Sequence, residues 1–222
     1  MMARRGILVG GGALLLGLSL SSCGSAGQAS YRFRVTVEVE TPQGPKSGSG
    51  VLEEWAVKET VLTSETGTGK GSTKGQAVIV DLPDGPLFVL MTLPDAKGDL
   101  GGSATQALAG GLFGNFDDYF AAVRKLGGWF GGAKAELLRE EWPMMVRFRD
   151  LSDPKSVIKV NPESLGVKRI MVETTRDDVT TGIEKQLGWL VQIRGGYLHG
   201  GFTARGAPLG LDGTAFSTEL GK

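Results

Sequence analysis

The chain has one cysteine, Cys23, placed directly behind Leu20-Ser21-Ser22, and its surroundings define a chemistry more clearly than those of any other residue. Arg4 and Arg5 come first, followed by an apolar stretch over residues 7–20. A membrane-spanning helix needs about 20 consecutive apolar residues. This stretch is shorter, and Gly10, Gly11, Gly12 and Gly17 dilute it. Positive charge, a short greasy core and small residues at a cut site are the proportions of a secretion signal. The thiol has no second cysteine to pair with. It is placed to be alkylated by a lipid rather than to form a disulfide or hold a metal.

Leucine, two small residues and cysteine behind such a core resemble the lipobox of bacterial lipoproteins. That resemblance covers the first twenty-odd residues. It implies transfer of a diacylglyceryl group to the Cys23 sulfur, cleavage between Ser22 and Cys23, and acylation of the new amine. Gly24 rather than aspartate follows the cysteine, which in enteric-type bacteria implies the periplasmic face of the outer membrane. A lipid chain contributes about 0.8 kcal/mol per buried methylene, and stable attachment takes two signals or more than one chain. Three chains on one residue exceed that requirement. The alternatives are an ordinary cleaved signal with an incidental cysteine, or an uncleaved anchor. Arg4-Arg5 with Gly6-Ile7-Leu8 also resembles a twin-arginine export signal.

The other reactive groups do not assemble into a motif. His199 is the single histidine, so no second imidazole exists for a metal site, and no Gly-x-Ser-x-Gly elbow accompanies it. Gly67-Thr68-Gly69-Lys70-Gly71-Ser72 lacks the leading glycine and the trailing Ser or Thr of a phosphate-binding loop. It reads as a surface loop over residues 67–75. Glu53-Glu54 would point to opposite faces of a strand. Asp117-Asp118 fall in a first helical turn, where the macrodipole favours negative charge. Asp177-Asp178 form a third pair. No catalytic, cofactor-binding or metal-binding residue is expected, and no cofactor. Trp129 and Phe130, between the glycine pairs 127–128 and 131–132, are the candidate partner or membrane contact, because amphipathic rings favour interfaces. The competing reading tucks both rings into the core at a kink.

Removal of residues 1–22 takes away Arg4 and Arg5 and leaves 22 basic against 24 acidic residues. Near-neutrality argues against a nucleic-acid partner, which calls for a basic stripe. An apolar fraction of 41% suffices for a core, and without a disulfide stability rests on packing. The expected organisation is a signal over residues 1–22, a flexible small-residue tether over 23–30, and one domain over 31–222 with a glycine-rich, irregular tail after Arg194.

The elements that would position any site follow from periodicity. Residues 31–40 alternate without a fault, with Tyr31, Phe33, Val35, Val37 and Val39 on one face and charged or polar residues on the other. A turn at 41–45 leads to a second strand over 47–57, making a hairpin. Strands are expected at 76–80 and 87–93 across the Pro83-Asp84-Gly85 turn. The later one is apolar on both faces and suits the middle of a sheet. Asn115 would cap a helix burying Phe116, Phe120 and Val123. A second helical stretch is expected over 133–141, with strands at 144–149, 157–160 and 167–174. Thr181 and Glu184 suggest a capping box for a short helix burying Ile183, Leu187 and Leu190.

Residues 31–189 also resemble an uncharacterised family of bacterial exported proteins, through Tyr31-Arg32-Phe33-Arg34, Val37-Glu38-Val39-Glu40-Thr41-Pro42, Ser47-Gly48-Ser49 and Thr180-Thr181-Gly182-Ile183-Glu184-Lys185. That resemblance implies one domain and brings no assigned activity. The expectation is therefore an α+β fold, an antiparallel β-sheet of hairpins with a helical insertion around residues 103–141 packed on one face. The expected role is a lipid-anchored envelope protein that binds an unknown envelope protein or ligand, or is structural. The alternative is a cell-envelope hydrolase. A deep pocket lined by carboxylates and His199 would favour the hydrolase; a grooved apolar patch would favour the binder.

Overall fold

A computed structural model describes residues 27–59, 68–128 and 132–220. Residues 1–22, expected to form a signal, and Cys23, Trp129 and Phe130 lie outside the described residues. Among the described residues nine strands form two antiparallel sheets, accompanied by three α-helices, so the fold is broadly α+β.

The unbroken alternation produces β1 (Gln28–Thr41) and the hairpin produces β2 (Gly44–Glu59), paired along the whole length of β1. Strand structure begins at Gln28, so residues 28–30 belong to the sheet and not to the tether: Gln28 pairs with Val57 and Ser30 with Trp55. Three further strands complete this sheet beside β1 and β2: β3 (Thr68–Lys74) outside β2, β9 (Val167–Thr175) beside β1, and the short β6 (Lys134–Glu136) beyond β9. The second sheet has the order β4 (Val78–Leu82), β5 (Gly85–Val89), β7 (Met145–Phe148), β8 (Val157–Lys159). β5 is interior there, as its two apolar faces require.

One face of the first sheet is polar. Glu38 holds Arg169 through two hydrogen bonds of 2.8 and 2.9 Å, and Arg32 and Arg34 pair with Asp178 and Asp177. The other face carries Phe33, Val35 and Val37, each fully buried. Part of it is covered by the second sheet, whose β4 packs on β2 and β1. Gly48 makes that approach feasible, because a β-carbon there would overlap the Ile79 carbonyl. Side chains of α1 (Leu100–Ala109) and α2 (Phe116–Leu126) join the same core. Asp99 and Asn115 cap these helices, accepting hydrogen bonds from the Gly102 and Asp118 amides at 2.7 and 3.0 Å.

The outer face of the second sheet supports a separate core. Phe88, Leu90 and Val146 meet Ile183, Leu187, Trp189, Leu198, Leu211 and Phe216 from the C-terminal segment. The tail after Arg194 is irregular as expected, yet Phe216 is fully buried and Ala77 N donates to its carbonyl at 2.8 Å.

Three further expectations fail. Of the loop expected over 67–75, residues 68–74 are a strand instead: β3 pairs with β2 from Thr68 to Lys74, while Gly67 lies outside the described residues. Residues 133–141 form no helix. Lys134–Glu136 pairs with Glu173, Val172 and Met171, and Arg139–Glu141 is a single 3-10 turn. The capping box at Thr181 is not made, because Gly182 adopts φ 103 and the Ile183 amide donates to Gln76 Oε1 at 2.8 Å. The residues expected to be buried there still are: Ile183, on a 3-10 turn, Leu190, on the short α3 (Leu190–Ile193), and Leu187 between the two are 1% exposed or less.

Candidate functional site

Two groups of side chains stand at the two ends of α1, one polar and buried, the other apolar and open. At its first turn a polar row crosses the sheet. Tyr31, Glu54 and Thr73 are neighbours in register on β1, β2 and β3, and all three point inward. Glu54 is 1% exposed. Its Oε2 accepts from the Thr73 hydroxyl at 2.6 Å, and its Oε1 accepts from the Tyr119 hydroxyl of α2. Tyr31 and Thr105 hydroxyls bond at 2.9 Å, and Thr105 donates onward to the Gly101 carbonyl at 2.7 Å. Since Thr105 spends its proton on Gly101, Tyr31 is the donor in the first bond.

Loss of water pushes the Glu54 carboxyl up to about 7, against the pull of Thr73 and Tyr119, with Asp99 adding to the rise. Burial likewise raises the Tyr31 hydroxyl, and Tyr119 is raised by burial and by the carboxylate beside it. Gly101 lets α1 come this close, because a β-carbon there would overlap Glu54 Oε2 and Thr73 Oγ1. Gly71 does the same for α2: its β-carbon would lie 2.7 Å from the Tyr119 hydroxyl. The alternate glycines 69 and 71 therefore share one strand face and seat the rings of Phe116 and Tyr119.

Thr73 and Asp99 also line a cleft of about 580 Å³, together with Tyr197, Asp212 and Thr214. Its carboxylates are already engaged in capping. Asp99 Oδ1 holds the Gly102 amide, and Asp212 Oδ1 accepts from the amides of Thr214 and Ala215 at 2.9 and 3.2 Å. His199 does not line this cleft. Its Nδ1 accepts from the Gly201 amide at 3.4 Å and its ring meets Tyr197 edge-on. No group of three or more His, Cys, Asp or Glu among the described residues could hold a metal ion.

At its last turn α1 is apolar. Leu108, Ala109 and Phe113 face Ala121, Ala122 and Leu126 of α2 across a groove of about 760 Å³, with Asp118 and Lys125 on its rim. Gly128 and Gly132 bound it on either side of residues 129–131, which are not described. Leu112, in the connector between the helices, is 84% exposed. A more polar cleft of about 780 Å³ lies next to it, between the start of β1, the end of α2 and the end of β9. No helix among the described residues is long and apolar enough to cross a membrane.

No family model, curated protein or solved structure matches the chain. The site is therefore read from its own geometry.

The acidic pairs named from the sequence separate cleanly. Glu53 and Glu54 point apart, Asp117 pairs with Lys58 at 2.7 Å, and Asp177 and Asp178 are held by arginines. The buried row at Glu54 was not anticipated. Its signal was present, since Leu52 and Ala56 are inward residues and strand alternation places Glu54 between them.

Proposed function

We propose that this is a lipid-anchored protein of the cell envelope that binds rather than catalyses. Cys23 carries the lipid, the few residues before β1 tether it, and the domain stands on the periplasmic face of the outer membrane. The helical insertion between β5 and β6, packed on the inner face of the first sheet, supplies the binding surface. Its occupant is an acyl chain of a membrane lipid, for which an apolar groove of this size is suited. The observation that carries the reading is the contrast between the two cavities beside α1. Asp99 and Asp212 in the polar cleft are engaged in capping, whereas the groove between Leu108, Phe113 and Ala122 is lined mostly by apolar side chains, with Asp118 and Lys125 the charged exceptions.

Vesicles containing a phospholipid with a photoreactive acyl chain test it. The intact protein should be labelled on α1 and α2, and Ala122→Trp should lose most of that label. Equal labelling of the variant, or labelling confined to the cleft, rejects the groove.

A hydrolase is the second reading, and Glu54 is what favours it, because a carboxyl near 7 suits proton transfer. The carboxyl is sealed behind Thr73 and Gly101, so it meets no substrate in this conformation. Glu54→Gln separates the two: a binder keeps its lipid labelling, and a hydrolase loses turnover of envelope substrates.

A further inference from the structure

The start of the described chain and the apolar connector before α2 are on the same side of the molecule, and together they set its orientation. Gly27, the first described residue, is pinned to β2: the Lys58 amide donates to its carbonyl at 2.6 Å. Lys58 in turn reaches α2, pairing with Asp117 at 2.7 Å and lying 5.1 Å from the centre of the Phe120 ring. Further along β1, Ser30 approaches the other end of α2, where a β-carbon on Gly127 would overlap its carbonyl. The start of the domain therefore runs alongside α2. Four residue steps separate Cys23 from Gly27, at most about 14 Å of extended chain. The opposite end of the hairpin, at Gln43, lies a full strand away. β1 has 14 residues, which span about 45 Å.

We propose that α2 and the connector before it lie against the phospholipid bilayer that receives the Cys23 lipid, with Leu112 and Phe113 entering its interface. This rests on the anchor at Cys23 and not on what fills the groove. The surface chemistry agrees. Leu112 is 84% exposed beside the half-buried Phe113, while Arg124 and Lys125 are exposed on the last turn of α2. Apolar side chains that enter the headgroup boundary and cations that meet phosphate are the two attractions of an interfacial element. Asp117 and Asp118 oppose the electrostatic part; Asp117 is neutralised by Lys58. The tip of the hairpin carries Pro42 and Gln43, both exposed, with no apolar residue beside them.

The single cysteine makes the test direct. Leu112→Cys and Gln43→Cys are each introduced into the full acylated chain and labelled with an environment-sensitive fluorophore. A thioether at Cys23 leaves only the new thiol to react. The proteins are reconstituted into vesicles of phosphatidylcholine and phosphatidylglycerol containing a spin-labelled lipid quencher. Quenching at residue 112 should exceed that at residue 43 by about threefold or more, as expected for a side chain within the interface. Equal quenching at both, or stronger quenching at 43, overturns the orientation. Flotation of the same samples reports the anchor separately. Protein that floats without quenching at 112 refutes this inference alone, whereas protein that stays behind and takes label at Cys23 refutes the anchor as well. Hydrogen exchange of residues 110–118, slowed on vesicles relative to residues 41–45, gives the same answer without a substitution.

Discussion

The first turn of α1 presses Gly101 onto Glu54 and Thr73, and each polar side-chain atom there has a partner: Thr73 and Tyr119 on the carboxylate, Tyr31 and Thr105 on each other. About two turns later the same helix ends among Leu108, Ala109 and Phe113, where the lining is mostly apolar and Leu112 stands almost fully in solvent. A buried carboxyl with two partners fixes how helix and sheet meet, since burying it elsewhere would leave it unpaired. An open apolar groove fixes nothing within the domain and suits a partner. Chemistry-bearing side chains therefore cluster where structure is being held, and the surface open to a ligand carries almost none.

If the first turn is a structural clamp, its removal should change stability strongly and lipid binding little. The largest effect is on pH. Glu54 titrates near 7 in the folded chain and near 4.5 when unfolded, so the folded state holds more protons between those values. Stability should fall as pH rises through that window, by about 3 kcal/mol in total, and chemical denaturation at a series of pH values measures it. Glu54→Gln should flatten the profile and raise stability at pH 8. A profile unchanged by the substitution removes Glu54 from the account.

Gly101→Ala comes next. The new methyl must displace Glu54 or Thr73, and overpacking of this kind costs about 1–3 kcal/mol. The shift in denaturation midpoint reads it. Tyr119→Phe leaves Glu54 Oε1 without its donor, at a cost of about 1–2 kcal/mol at neutral pH. It should also move the downward step in the pH profile to higher pH, because a bond that favoured the charged form is gone. At the other end, Leu112→Ser should change stability by less than about 0.5 kcal/mol, as expected at an exposed site, while weakening vesicle contact. A large loss of stability there would place Leu112 in the core and erase the contrast.

Much of this was legible in the residues. β1 could be read from its alternation alone, because one face is buried and the other charged. The Asn115 cap and the inward Phe120 and Val123 could be read from helical spacing. What escaped depended on neighbours distant in sequence. β3 reads as a loop because Gly69 and Gly71 look like turn residues, and only the rings of α2 reveal why that strand face must be bare. Residues 134–136 carry good helix formers, yet pairing with β9 decides their state. Gly182 overrides the capping signal of Thr181, since its positive φ turns the chain away from the cap. Glu54 was seen as one of an adjacent pair and not as an inward residue, because charge hid its place in the alternation.

The account stands on the modification at Cys23, and intact mass spectrometry of protein extracted from membranes tests it without any variant. The predicted result is a chain beginning at Cys23 with a diacylglyceryl group on its sulfur. A chain that retains residues 1–22, or one with a bare thiol at position 23, would contradict it.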